Sequence, residues 1–434
     1  MRYDTAIEKL FALQARGVRM GIDRMRDALH YRHYDVHCMP FIQVAGTNGK
    51  GSVCAMIASS LEVAGHRTGL FTSPHLHRFT ERVRIDGEVL GTREAARRIS
   101  ELLEVFGRAD APQVTFFELS TLLALEAFRD HGCDVAVLEV GLGGRLDATN
   151  ALPAKLTVIT RIALDHMQYL GHTLAKIAGE KAGIIKHGVP VIVGTREPAA
   201  LRVIAARAKR LRAPAVFIDQ DFAASPVRAV SGRGAQQLRV RTPQAVFAPV
   251  RLALAGEHQQ DNAACAVAAL AALPALGLPV SRAAVLAGPA RVRWPARMER
   301  IAGRPAFLLD AAHNPDGCQA LARYLAAKAT RSKQRRVLVF GVMSDKDYTR
   351  MLQILAPCFD YVLYAPPNMQ RAASLPDLQH AHAGQGCRDV GAALRRAKRL
   401  SGPSGLVVVA GSIFVVAQAR ARLLGLPSDP LIRM

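Results

Sequence analysis

The segment Val44–Ser52, VAGTNGKGS, holds glycines at 46, 49 and 51 among hydroxyl, amide and amine side chains. An apolar strand ending near Val44, a glycine-rich loop and a helix starting near Ser52 let backbone N–H groups close around phosphate oxygens. Lys50 supplies a point charge for the β- and γ-phosphates, and the helix N-terminus adds its dipole. The spacing departs from G-x-x-x-x-G-K-[ST], because Val44 takes the first glycine's place and Gly51 follows the lysine. An ordinary strand–helix turn is the competing reading. The strand, lysine and helix together favour an ATP phosphate site.

Three further residues sit at the ends of apolar, strand-like runs: Ser73 after GLFT, Glu139 within DVAVLEVG (134–141), and His166 after LTVITRIALD. In an open α/β sheet the carboxyl ends of parallel strands converge on the ligand crevice. A hydroxyl, a carboxylate and an imidazole, with ATP oxygens, suit Mg²⁺, which takes few protein ligands beside phosphate. Taken singly, each has a structural reading: a helix cap, a buried ion-pair member and a core histidine.

The elements that must position these groups alternate. Strand-like runs at 41–46, 69–73, 134–141, 156–162 and 189–194 are separated by helical stretches such as 52–64 and 117–131. This pattern predicts a doubly wound α/β fold with a parallel sheet. From Pro226 to Leu254 the period drops to two, which predicts exposed antiparallel strands appended to that sheet. Residues 286–296, LAGPARVRWPA, read as a linker between a domain spanning 1–288 and a smaller α/β domain spanning 289–434.

The chain has 434 residues, half of them hydrophobic, and a net charge of +22, so a disordered chain is excluded and a large core permitted. Basic residues are spread widely, and aromatics make up only 6%, which argues against base-stacking nucleic-acid platforms. The seven cysteines form no C-x-x-C pair, which predicts reduced, mostly buried thiols in a cytoplasmic protein. Residues 263–280 carry no charge, but Pro274, Gly277 and Pro279 interrupt them, so a buried helix is expected rather than a membrane span. His30, His33 and His37 have helical spacing, and an exposed face accounts for them better than a metal site does.

GTNGKGS with TSPHL (72–76) resembles the folylpolyglutamate synthase/dihydrofolate synthase family of Mur-ligase-like amide ligases. The likeness continues in order through EVGLGGRLDATN (139–150), DHMQYLGHTLAKIAGEKAGIIK (165–186), GEHQQDNA (256–263), WPARMER (294–300), DAAHNP (310–315) and GVMSDKD (341–347). It implies an N-terminal P-loop-type ATPase domain, like the Mur-ligase central domain, and a Rossmann-like C-terminal domain. It implies ATP contacts at Thr47, Asn48, Gly49, Lys50, Gly51, Ser52, Asn262, Arg297, Asp310 and His313, with ATP lying between the domains. Magnesium, two ions per site, would be held by Ser73, Glu139 and His166 and by a carbamate on Lys181, whose competing reading is an ion pair with Glu180. Lys50, His166 and Lys181 would carry catalysis.

The resemblance places the pterin at Arg19, Met20, Gly21 and Ile22, at Thr115, Phe116, Phe117 and Glu118, and at Leu146, Asp147 and Ala148. Phe116 or Phe117 would offer a wall, and Glu118 or Asp147 would accept pterin N–H bonds. The sequence departs from the family pattern at Arg19 (often Asp), Ala296 (Gly) and Ala311 (Gly), and the last two add only a methyl. The implied reaction joins L-glutamate to dihydropteroate, giving dihydrofolate, and further glutamates to tetrahydrofolates through an acyl phosphate. The protein would be a monomer without nucleic-acid or membrane partners. A single-activity folylpolyglutamate synthase, a nucleic-acid-dependent ATPase and a non-catalytic nucleotide-binding module are the alternatives. Turnover with dihydropteroate, glutamate and magnesium separates the first, and stimulation by DNA or RNA the second.

Overall fold

A computed structural model describes residues 1–17, 19–227, 236–329 and 334–430. The chain forms two compact units: the first comprises Met1–His75, Phe79–Ala253 and Gln259–Arg293, and the second Leu76–Arg78, Leu254–His258 and Trp294–Met434.

In the first unit, strands β1 (Phe41–Ala45), β2 (Thr68–Phe71), β3 (Val83–Ile85), β4 (Glu88–Val89), β5 (Val135–Glu139), β6 (Ala154–Ile159), β7 (Val191–Val193) and β8 (Ala215–Phe217) form one sheet. Its order is β4-β3-β2-β5-β1-β6-β7-β8. The strands from β2 to β8 along that order pair in parallel, and only the β2–β3 and β3–β4 pairs are antiparallel, so β3 alone runs against the rest. Strands covered on both faces read as continuous apolar runs, and all five residues of β1 are buried. One core gathers Phe41, Phe71, Ala136 and Leu138 with the helices Tyr3–Ala12 and Phe116–Asp130. A second gathers Ala45, Ile159, Val191 and Val193 with Ile177 and Ile204.

The antiparallel strands expected as an extension of this sheet form a separate one. β9 (Ala223–Pro226), β10 (Gln236–Arg241) and β11 (Val246–Leu252) make a three-stranded sheet of order β11-β10-β9. Alternation reported a half-exposed strand correctly, but it carries no information on which neighbour it joins.

The segment expected as a linker is largely a helix, Arg282–Arg291, with Pro289 inside it. The units therefore divide at Arg293/Trp294, and a boundary at 288/289 would cut that helix. Its sequence looked like a connection because Gly288 and Pro289 are turn residues, yet here Gly288 serves close packing. A Cβ at Gly288 would lie 2.0 Å from Ser60 Oγ and 2.5 Å from Ser60 Cα, and the Gly288 carbonyl accepts from Ser59 Oγ at 3.0 Å.

The second unit contains β12 (Glu299–Ile301), β13 (Ala306–Leu309), β14 (Arg336–Phe340), β15 (Tyr361–Tyr364), β16 (Gln385–Gly386) and β17 (Leu406–Ala410) in the order β12-β13-β17-β14-β15-β16. Only the β12–β13 pair is antiparallel. Period-two alternation divides its residues: Leu308, Leu338, Phe340 and Val408 enter one core, and Phe307, Leu309, Val339 and Val409 the other.

All seven cysteines are free, and five are buried. The apolar stretch after Asn262 belongs to the helix His258–Ala272, followed by a 3-10 turn at Pro274–Leu276. Among the described residues no helix is long and apolar enough to cross a membrane. Gly288→Ala forces a methyl into backbone and is expected to cost about 1–3 kcal/mol as an overpacked contact. A lowered melting temperature is the readout; an unchanged one would restore the linker reading.

Candidate active site

In the first unit β2, β5, β1 and β6 lie side by side and parallel. Their carboxyl ends therefore deliver Thr72–Ser73, Glu139, Gly46–Lys50 and Thr160–His166 to one edge of the sheet. The chain passes from β1 across to β2 on one side, and from β5 to β6 on the other. This edge is thus a topological switch point, where open α/β sheets bind ligands.

The phosphate loop is fastened to the exit of β6. Thr47 N and Asn48 N donate to the Arg161 carbonyl at 2.8 and 3.3 Å. Thr47 Oγ1 donates to the Ala163 carbonyl at 3.0 Å and accepts from Ala163 N at 3.1 Å. Thr160 Oγ1 donates to the Asn48 carbonyl at 2.8 Å. Gly46 and Gly49 have φ of +153° and +93°, which L side chains rarely adopt. A Cβ at Gly49 would also lie 2.2 Å from Asn262 Oδ1. The helix begins at Lys50, two residues earlier than expected, with Gly49 as its N-cap. Gly51 is therefore helical and needs no special backbone freedom.

Asn262 lies in the second turn of its helix rather than capping it, and it presses on Gly49. Its Nδ2 donates to Gln259 Oε1 at 2.9 Å, and Gln259 Nε2 donates to Ser52 Oγ at 3.3 Å. Sequence reasoning missed Gln259, although it stands one helical turn before Asn262 within the matching motif. It missed Thr160 as well, which has no local signal at all.

Two lysines meet at one carbonyl. Lys50 Nζ donates to the Gly46 and Thr47 carbonyls at 3.1 and 3.3 Å, and Lys181 Nζ donates to the Gly46 carbonyl at 2.9 Å. Lys181 is buried. Burial first, and the nearby Lys50 charge second, pull its pKa down to about 7, while Asp165 and Asp147 oppose the shift. The surface pairing with Glu180 does not form, because Glu180 pairs with Arg145 at 2.9 Å.

Glu139 is buried, and its Oε2 accepts from Ser73 N at 3.0 Å. That contact brings together two of the three expected metal ligands. His166 is not a core residue: its side chain is 41% exposed. Its φ of +49° precedes the short helix Met167–Leu170, and its N–H donates to Asp165 Oδ1 at 2.8 Å. Among the described residues no group of three or more His, Cys, Asp or Glu side chains forms a metal cage. A magnesium ion that shares its shell with ATP phosphates needs no such cage, so one carboxylate, one hydroxyl and one imidazole fit a nucleotide-bound ion. His30 and His33 are exposed and their helix ends at Tyr31, so the spacing of His30, His33 and His37 is not realised on one helical face.

The three expected pterin segments converge. Gly21 N donates to the Leu146 carbonyl at 3.3 Å. Arg24 Nε pairs with Glu118 Oε1 at 3.0 Å, and Arg24 Nη2 donates to the Arg19 carbonyl. The acidic groups are committed within these segments. Glu118 Oε2 accepts from Thr115 N at 2.7 Å in a capping box. Asp147 accepts from Gly141 N, Leu142 N, Thr149 N and Thr149 Oγ1 at 2.6–3.0 Å. Its burial raises its pKa against those bonds. Asp147 thus first shapes the loop that displays Leu146 and Ala148. Phe117 packs on Phe71, with ring centroids 5.8 Å apart, and Phe116 lies among Phe11, Phe79 and Arg82.

The second unit has its own polar cluster at the carboxyl end of β13. Asp310 accepts from Met298 N and Ala312 N, each at 2.9 Å, and burial raises its pKa while Arg297 opposes the rise. His313 Nδ1 bonds the Ala311 carbonyl at 2.9 Å. Ala296 and Met298, on either side of Arg297, have φ of +60° and +51°, a strain of about 1–2 kcal/mol per residue. Ala296 and Ala311 are therefore not equivalent departures from glycine: the first carries left-handed strain as well as a methyl. The strained turn is held by Glu299 Oε2, which accepts from Ala296 N at 2.9 Å and is itself paired with Arg420 at 2.9 Å. Neither Glu299 nor Arg420 was legible as a site residue. Asp347, for which the motif supplied no role, caps the helix Tyr348–Leu355 through Arg350 N.

A glycine-rich loop with a basic lysine, a switch-point carboxylate and a second α/β unit accord with the class that the family models show, an ATP-dependent ligase of the Mur type. The Mur ligase middle domain matches residues 44–270, and the Mur ligase glutamate ligase domain matches residues 296–413. The Bacillus subtilis dihydrofolate synthase/folylpolyglutamate synthase is 32% identical over 415 residues, covering 94% of this chain and 96% of its own. The Escherichia coli FolC structure in complex with DHPP and ADP matches with TM-score 0.85 and 32% identity, over 96% of this chain and 97% of the other. A bifunctional folylpolyglutamate synthase/dihydrofolate synthase solved with Mn, AMPPNP and L-glutamate matches with TM-score 0.85 and 32% identity, over 96% and 98%. The chain belongs to the dihydrofolate synthase/folylpolyglutamate synthase family and is an ATP-dependent ligase of folate metabolism.

Gly49→Ala combines an unfavourable φ with the Asn262 clash. Titration calorimetry should find ATP binding weakened at least about tenfold, equivalent to about 1.4 kcal/mol. Wild-type affinity in that variant would show that the loop is not the phosphate site.

Proposed function

We propose that this chain carries both activities of its family, joining L-glutamate to dihydropteroate and then further glutamates to reduced folates. A carboxylate does not accept an amine directly, because its leaving group would be oxide; phosphorylation by ATP supplies a better one. Lys50 and the backbone N–H groups of residues 49–51 would bind the phosphates and offset the charge that builds up as the γ-phosphoryl moves, while those of Thr47 and Asn48 fasten the loop to Arg161. Ser73, Glu139 and His166 would hold magnesium, which when bound neutralises phosphate charge. On the second unit, Arg297, Asp310 and His313 are the proposed nucleotide contacts. The pterin would lie against Arg19–Ile22, Thr115–Glu118 and Leu146–Ala148. The observation that supports this reading most is the meeting of Lys50 and Lys181 at the Gly46 carbonyl, beside the Ser73–Glu139 contact.

Lys181 is the proposed carbamylation site. With a pKa near 7, a large share of its amine is neutral at physiological pH and free to add CO₂. The N–C bond forms from the nitrogen lone pair, the amine loses a proton, and the resulting carbamate would serve a second magnesium ion.

A panel of acceptors assayed with Mg-ATP and glutamate for ADP release tests the dual activity. Turnover is expected with dihydropteroate and with tetrahydrofolate. Turnover with tetrahydrofolate alone would leave a single-activity folylpolyglutamate synthase, and stimulation by DNA or RNA would point to a different class. Lys181→Ala should lose at least about a hundredfold in kcat, the scale of removing one charge-stabilising group, and regain part of it with added short-chain carboxylates. Full activity without them would refute the carbamate.

A further inference from the structure

Arg82 ends the 3-10 turn Phe79–Arg82 and leads into β3. Its side chain is buried, the whole residue being 4% exposed. Burial lowers its pKa to about 10, with Glu139 and Glu81 opposing the shift, so the guanidinium keeps its charge at neutral pH. Nε donates to His75 Nδ1 at 2.9 Å. The guanidinium carbon lies 5.1 Å from the Phe116 ring centroid and 6.0 Å from that of Phe79. The Arg82 carbonyl accepts from Thr72 N at 2.9 Å, which ties the arginine to the segment carrying Ser73.

Among the described residues, Nη1 and Nη2 make no hydrogen bond, and neither is sealed inside the protein. Burying a guanidinium with part of its donor fork unused is costly. A planar anion is the ligand that such a fork matches. The place selects which anion. Phe116, at the N-terminus of the helix assigned above to the pterin, lies against the guanidinium, and Glu139, assigned above to the metal, is close enough to act on its charge.

We propose that Arg82 is a further catalytic residue, which binds the acceptor's carboxylate through Nη1 and Nη2 and presents it for phosphoryl transfer. The proposal rests on the pterin and metal assignments made above. A carboxylate oxygen forms the new bond to the γ-phosphorus while the bond from that phosphorus to the β,γ-bridging oxygen breaks, and its electron pair leaves on ADP. Arg82 neither gives nor takes a proton, and its charge compensates the carboxylate before transfer and the acyl phosphate after it. In the next step the glutamate amine attacks the acyl carbon, phosphate departs with its electron pair, and the ammonium proton passes to solvent.

The test compares wild type with Arg82→Lys and Arg82→Gln. Binding of dihydropteroate and of its carboxamide is measured by calorimetry without metal or nucleotide, and acyl phosphate formed with Mg-ATP is trapped by hydroxylamine. Wild type should favour the acid over the amide by at least about tenfold, the usual scale of a charge-assisted contact. Both variants should keep wild-type ADP affinity, lose that preference and trap at least about tenfold less acyl phosphate. Variants that retain the preference overturn the proposal. If neither variant folds, the wild-type comparison decides, and equal binding of acid and amide overturns it. A wild type that forms no acyl phosphate from any pterin acid would overturn instead the function on which the proposal rests.

Discussion

The phosphate loop leaves β1 and is bonded straight to the exit of β6 through Thr47, Asn48, Arg161 and Ala163. Those bonds, and the parallel pairing of β1 with β6, set the loop of residues 46–50 beside the segment that follows β6. Thr47 and Asn48 spend their N–H groups on the Arg161 carbonyl, and the carbonyls of Gly46, Thr47 and Asn48 need donors of their own. Thr160 supplies one to Asn48, and Lys50 and Lys181 supply two to Gly46. The fold therefore stabilises the loop with groups that have chemistry of their own. The lowered pKa of Lys181 follows from the same arrangement, since its position beneath the loop is both dry and close to Lys50.

The acidic residues divide between architecture and chemistry in a way their types do not announce. Glu118 and Asp147 are buried carboxylates within the motifs assigned to the pterin, yet their oxygens are taken by capping and loop N–H groups. Glu139 also meets a backbone N–H, that of Ser73, but does so at the sheet edge where the phosphate loop emerges. In the second unit Asp310 and Glu299 both bind backbone N–H groups of the turn around Arg297. The left-handed strain at Ala296 and Met298 is thus held from both ends.

Much of this was readable in advance. The strands at 41–45, 135–139 and 154–159 and the helices between them follow from apolar runs bounded by glycine and polar punctuation. The glycine-rich loop between β1 and the helix at Lys50 follows from glycine and lysine spacing, because φ and charge are properties of single residues. The Arg282–Arg291 helix was misread for the same reason: Gly288 and Pro289 are turn residues by local preference, and only the neighbouring Ser60 shows why glycine is needed there. The antiparallel strands expected between Pro226 and Leu254 correspond to β10 and β11, but they join β9 in a separate sheet, since alternation specifies a face and not a partner.

The sequence by itself determined the alternation of elements, the loop able to wrap phosphate, and the ordered motifs that carry the family likeness. These depend on backbone preference, periodicity and residue chemistry, all of which act over a few neighbouring positions. Tertiary structure alone decided that Lys181 is dry and shares a carbonyl with Lys50, that Gln259 links Asn262 to Ser52, and that Arg82 stands charged between Phe116 and His75. Each of these depends on desolvation or on a contact between residues tens to hundreds of positions apart, and no local pattern encodes the distance between them.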